Sequence, residues 1–165
     1  MNNEEKNSYV KAQITNTLIE LMHHKPFKDI SISELTNAAS VGRVSFYRNY
    51  DSLEDILSKY ISLETDKWIN QNGFIHISIP ASKEYVVSLL KHLYDYRDFI
   101  DLLLKNDIIY LLEKEFDSRI NEHLKESENP WSIAYTTGGF YKLFLYWAKN
   151  GYSLSAEEIV IYLEQ

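Results

Sequence analysis

The sequence predicts an all-α protein, with a three-helix head followed by a bundle of five or six helices. Three observations lead there. Apolar residues recur three and four apart through most of the 165 positions, the spacing that places them on one face of a helix. Cap signals punctuate these segments: Ser52 with Asp55 and Ser155 with Glu158 read as capping boxes, and Asn72-Gly73 and Asn150-Gly151 as stops. The one alternating stretch, FIHISIP at residues 74–80, has no second strand to pair with and is expected to be an extended loop closed by Pro80.

The first helix is expected over residues 8–24, with Val10, Ile14, Leu18, Leu21 and Met22 on its buried face. His23, His24 and Lys25 suit its C-terminal end, and Pro26 stops it. Phe27, Ile30 and Ile32 lead into the next helix as core residues. Ser33 is the expected N-cap of that second helix, and Leu35, Ala38 and Ala39 give it a narrow apolar face. Ser40-Val41-Gly42 is a turn of the length that joins the two helices of a helix-turn-helix. A third helix, Arg43 to Tyr50, has Phe46 and Tyr50 four apart, so both can point inward. That leaves Arg43, Val44, Ser45, Tyr47, Arg48 and Asn49 facing out.

A short helix exposing guanidinium, hydroxyl, amide and phenol groups suits a DNA major groove. The run Ala39-Ser40-Val41-Gly42-Arg43-Val44-Ser45-Phe46-Tyr47-Arg48-Asn49-Tyr50, followed by Ser52-Leu53-Glu54, resembles the TetR family of bacterial transcriptional regulators. The likeness covers residues 8 to about 60 well and residues 134–164 more loosely. It implies a homodimeric DNA-binding regulator, most often a repressor, released by a small-molecule effector. It places Arg43, Val44, Ser45 and Arg48 near base edges and Tyr47 and Asn49 toward phosphates, and Ser33 is counted with this set. The chain departs from the family pattern in three places. Ser40 stands where a turn glycine is usual, so Gly42 is expected to take over part of the turn. Leu53 stands where a lysine is usual, and Asp51 beside it is unfavourable near DNA. These departures support an alternative: a protein of the same fold that acts as a co-regulator by binding another protein, and does not itself bind DNA.

The body begins at Ser52, whose helix carries Ile56, Leu57, Tyr60, Ile61, Leu63 and Trp68. The domain division is therefore expected at 1–51 and 52–165. Ser82 opens a helix with Tyr85, Val86, Leu89, Leu90 and Leu93, and a break follows at Tyr94 to Arg97. Helices over Phe99–Leu104 and Ile108–Leu124 come next, then a polar loop, KESENP, at residues 125–130. Trp131 to Lys149 is apolar nearly all round, so one side is expected to meet the chain's own core and the other a partner. Gly138-Gly139 lies inside it at a cost of ~1 kcal/mol per glycine against alanine, which close approach of a second helix would offset. Ser155 opens the last helix, with Ala156, Ile159, Val160 and Leu163 on one face. Trp131–Lys149 and Ser155–Gln165 are thus the expected dimer interface. The aromatic density of the body suggests an effector site lined by Tyr85, Leu89, Tyr110, Phe140 and Phe144. Ordinary aromatic core is the other reading of the same residues.

Composition bounds the rest. Net charge is −7, but residues 1–50 carry six Lys/Arg against five Asp/Glu and residues 51–165 eleven against nineteen. An acidic body would repel DNA except through the near-neutral head. There are no cysteines, which removes disulfides and thiolate metal sites. The five histidines do not stand at ligand spacing, so no metal or other cofactor is expected. No phosphate loop, nucleophile elbow or catalytic cysteine is present, so the chain is not expected to be an enzyme. The polar N-terminus is not a signal or transit peptide, and no apolar run reaches the ~20 residues that span a bilayer. A cytoplasmic protein without membrane contact is expected.

Overall fold

A computed structural model describes residues 2–73, 81–123 and 129–163, and every regular element among them is helical. In chain order these are α1 (Asn3–His24), a short 3-10 turn (Phe27–Asp29), α2 (Ile32–Ala38), α3 (Arg43–Asn49), α4 (Leu53–Asn72), α5 (Lys83–Asp95), α6 (Arg97–Lys105), α7 (Tyr110–His123), α8 (Pro130–Lys149) and α9 (Ala156–Leu163). The all-α class is as the sequence predicts. Among the described residues no helix is long and apolar enough to cross a membrane. The expected loop at 74–80 and most of the one at 125–130 lie outside the described residues.

The chain packs into two compact units, Met1–Glu64 with Leu102–Leu111, and Thr65–Asp101 with Leu112–Gln165. The first takes in more than residues 1–51, because the first part of α4 and the end of α6 belong to it. In this unit α1, α2 and α3 pack on one another. Ile14, Leu18, Met22, Leu35, Phe46, Ile56 and Leu57 are its most deeply buried apolar side chains, with Leu103 from the second segment. Asn106 ties that segment in. Its amide oxygen accepts the Phe27 N–H at 2.7 Å and its amide nitrogen donates to the Leu102 carbonyl at 2.8 Å.

In the second unit α5 packs against α9, burying Leu89, Leu90 and Leu93 on α5 and Ala156, Ile159 and Val160 on α9. Phe116 of α7 meets Phe140, Tyr141 and Phe144 of α8 edge-on, with centroids 5.9, 6.0 and 6.5 Å apart. Arg119 bridges Asp66 at 2.7 Å and Glu115 at 2.6 Å. Leu163, expected on the buried face of α9, is exposed.

Cap chemistry sets the helix ends. At α9 the Ser155 hydroxyl accepts the Glu158 N–H at 3.2 Å and the Glu158 carboxylate accepts the Ser155 N–H at 2.8 Å. At α4 the Ser52 hydroxyl accepts from Asp55 N–H, and the Asp55 carboxylate reaches one residue further back, to the Asp51 N–H. Ser82 caps α5 as expected. Two starts differ from expectation. α1 begins at Asn3 rather than residue 8, because Asn2 and Glu5 form a capping box that carries the helix across polar residues. Ser31, not Ser33, caps α2, accepting the Glu34 N–H at 3.1 Å.

Three helices end in the same way. α2, α6 and α8 each close with a left-handed residue, at Ser40, Asp107 and Gly151. In each, the next N–H reaches back five residues: Val41 to Thr36, Ile108 to Leu103 and Tyr152 to Trp147, all at 3.0 Å. This is the Schellman arrangement, which satisfies carbonyls that the helix end leaves open. It starts α7 at Tyr110 rather than Ile108. It also corrects the turn: Ser40 takes the positive φ of 53°, whereas Gly42 is extended at φ −73°.

Candidate nucleic-acid interface

The candidate interface rests on α3. Only seven residues long, the helix has little periodicity of its own, and its orientation is set by two aromatic anchors. Phe46 is fully buried and Tyr50 nearly so, their centroids 6.1 Å apart. The Tyr50 hydroxyl lies 3.4 Å from that of Thr15 on α1. Pinning positions 46 and 50 inward turns the remaining residues out, as the 3.6-residue period requires. Val44 is 73% exposed and Tyr47 60%. Arg43 and Arg48 are exposed, while Ser45, Asn49 and Ser33 are half-buried.

The structure brings Ser33 and Arg43 together: the guanidinium donates to the Ser33 hydroxyl across the turn of residues 39–42. Tyr47 sets its ring against the edge of Phe46 at 5.2 Å, which fixes its direction. Asn49 folds back, donating to the Ser45 carbonyl at 2.8 Å, so one of its amide protons is already used. Glu34, a carboxylate on α2, is paired with Lys25 at 2.8 Å. The Lys25 hydrogen bond holds that carboxyl below its usual range.

One contributor is absent from the sequence expectation. Lys59 of α4 donates to the Asn49 carbonyl at 2.9 Å and to Asp55 at 2.8 Å, and its ammonium stands 5.4 Å from the Tyr50 ring centroid. It closes the C-terminal end of α3, where a cation is favoured. Its spacing of four from Asp55 was visible in the sequence as a helix-face ion pair; its reach to α3 was not. Leu53, at the position of the usual lysine, is buried and so serves the core. Asp51 is exposed.

The residues expected to line an effector site are distributed as follows. Tyr110 belongs to the first unit and the other four to the second. Tyr85 meets Trp68 edge-on at 5.5 Å, and burial pushes its phenol up to about 12. Leu89 is buried. Phe140 and Phe144 both close on Phe116, and Phe144 has no exposed surface.

The outward side of α8 carries Trp131, Tyr135 and Tyr146, 84%, 86% and 70% exposed, with Gly138, Gly139 and Lys142 between them. Its inward side holds Phe144, Trp147 and Ala148. On α9, Ile161, Tyr162 and Leu163 are exposed. A Cβ added at Gly138 or Gly139 would meet nothing within 4 Å. No protein-family model matches the chain, and comparisons with curated proteins and with solved structures give no match.

Proposed function

We propose that the chain is a DNA-binding transcriptional regulator of TetR type, a cytoplasmic homodimeric repressor released by a small-molecule effector. One observation carries the reading. α3 buries Phe46 and Tyr50 and turns Arg43, Val44, Tyr47 and Arg48 outward together. In a major groove the two guanidinium groups would reach guanine edges and the valine methyls would meet thymine. Ser33 would steady Arg43 from α2, and Tyr47 would lie toward the phosphates.

A lone seven-residue helix with two arginines binds weakly, and specific sites of this kind are read in pairs one helical turn apart. The apolar outward faces of α8 and α9 supply a surface for the second copy, in a four-helix interface about a two-fold axis. An effector acting in the second unit would release the protein only by favouring one arrangement of the paired heads over another.

Gel retardation on the promoter DNA flanking the protein's own gene tests this at a series of salt concentrations. Specific retention that falls with salt is expected. The second reading, a co-regulator that docks on protein, is favoured by one feature: α3 exposes the large apolar side chains Val44 and Tyr47, three residues apart, and Asp51 after it is exposed as well. Absence of retention at low salt would select it.

A further inference from the structure

A cleft of ≈ 480 Å³ opens in the second unit between α5, the end of α8 and the turn into α9. That volume is in the range of small-molecule sites, ~300–1,000 Å³. Its wall is a cluster of three rings. Tyr94 stacks on Trp147 at 6.0 Å between centroids, and Tyr152 meets both edge-on, at 5.7 and 5.0 Å. The polar ends of two rings already have partners. Trp147 Nε1 donates to the Leu154 carbonyl at 2.9 Å, and the Tyr152 hydroxyl donates to Asp101 at 3.2 Å.

Tyr152 has a backbone feature that closing α8 does not require. Gly151 already supplies the left-handed residue, yet Tyr152 follows it at φ 54°. A side chain in that region costs ~1–2 kcal/mol, and non-glycine residues held there concentrate at ligand sites. With the backbone held there, the Tyr152 ring lies edge-on to Trp147.

The rim is charged. Lys91 pairs with Glu157 across the opening. Asp95 also lines it, exposed, with no side-chain partner among the described residues. With the Lys91–Glu157 pair made, the uncompensated charge at the rim is the Asp95 carboxylate. Arg97 sits 4.5 Å from the Tyr94 ring centroid, so that ring already has its cation. A ligand cation would therefore be directed to Asp95.

We infer that this cleft binds a small organic ammonium ion with a flat apolar body. The ammonium pairs with Asp95, and the body lies against the tyrosine rings and Leu154. An anion of the same shape would face two carboxylates at the rim, with the lysine already paired and the Arg97 guanidinium held over the Tyr94 ring. A neutral analogue would leave Asp95 unused. None of this depends on whether α3 binds DNA, and none of the residues belongs to the effector set expected from the sequence.

Calorimetric titration of the full chain with benzylammonium, benzyl alcohol and benzoate, three ligands of one size, tests it. Benzylammonium should bind best, with roughly the millimolar affinity of a fragment that small, then the alcohol, then benzoate. The Asp95→Asn variant should weaken benzylammonium roughly three- to five-fold, as loss of an exposed ion pair does, and leave benzyl alcohol unchanged. Asp95 is exposed, so this variant folds. Ser153→Trp, in the exposed turn lining the cleft, should remove binding of all three with helicity unchanged. Absence of benzylammonium binding at millimolar concentrations, benzoate binding as well as benzylammonium, or an unaltered affinity in Asp95→Asn would each overturn the assignment.

Discussion

Replacing Ser40 by glycine should stabilise the protein and leave α3 where it is. Ser40 holds the left-handed position that ends α2, at φ 53°. Two hydrogen bonds fix it there, Val41 N–H to the Thr36 carbonyl at 3.0 Å and Ser40 N–H to the Asn37 carbonyl at 3.1 Å. An L-residue in that conformation crowds its Cβ against the backbone at a cost of ~1–2 kcal/mol. Glycine escapes the crowding but loses ~0.5–1 kcal/mol through the greater freedom of the unfolded chain. The serine side chain is exposed and its hydroxyl makes no hydrogen bond among the described residues, so nothing else is lost. The balance is a gain of about 0.5–1 kcal/mol, or roughly 1–4 °C in Tm for a chain of this length. Urea and thermal unfolding followed by far-UV circular dichroism measure it. Gly42→Ala is the paired control. Gly42 is extended, and a Cβ there would meet nothing within 4 Å, so alanine should change stability by less than about 0.5 kcal/mol, its poorer capping offset by lower unfolded-state entropy. If Ser40→Gly destabilised and Gly42→Ala cost more than about 1 kcal/mol, the left-handed turn would be at Gly42 and this account of the α2–α3 joint would be wrong.

Arg43→Ala and Arg48→Ala should each cost ~1–3 kcal/mol of specific DNA binding; full operator affinity in the double variant would remove α3 as the reading element. Asn106→Ala deletes both the acceptor for the Phe27 N–H and the donor to Leu102. With the Phe27 donor left unmet it should cost ~1–3 kcal/mol in urea unfolding, and an unchanged midpoint would show that the two segments of the first unit are held by other contacts. Gly139→Arg should give a monomer by light scattering, since in the proposed dimer it would set a bulky charge at the closest approach of two helices. A monomeric parent protein at micromolar concentration would refute the dimer itself.

Where the fold was legible, cap chemistry made it so. Ser82, Ser155 with Glu158, Pro26 and Asn150-Gly151 mark real helix ends because a single side chain or backbone conformation decides each one. Where structure and expectation differ at helix starts, the cap outweighs apolar periodicity. Residues 3–9 show no buried face, so periodicity starts α1 at residue 8, whereas the Asn2–Glu5 capping box starts it at Asn3. Ser31 with Glu34 carried the same signal for α2. In the structure only half of that box forms, because the Glu34 carboxylate goes to Lys25 instead. Ser40 shows a different limit. Glycine's preference for the left-handed position favours Gly42, but the helix end fixes which residue must turn, and here serine stands at that place.

The candidate site divides along the same line. The outward set on α3 followed from Phe46 and Tyr50 alone, since two inward anchors on a short helix dictate the rest. Lys59 depends on how α4 leaves α3, and the ring cleft draws on α5, the end of α8 and the turn before α9. No local pattern encodes either. α8 lies between these cases. Its sequence is apolar on both sides, and the structure buries Phe144, Trp147 and Ala148 on one side while Trp131, Tyr135 and Tyr146 stand exposed on the other. None of the described residues occupies the space beside Gly138 and Gly139, so alanine would fit at both against them and would favour the helix by ~1 kcal/mol apiece. Packing among the described residues gives no reason for that cost. The proposed dimer would give one, because glycine lets two helix backbones approach most closely and so bury the aromatic side chains on either side of the pair.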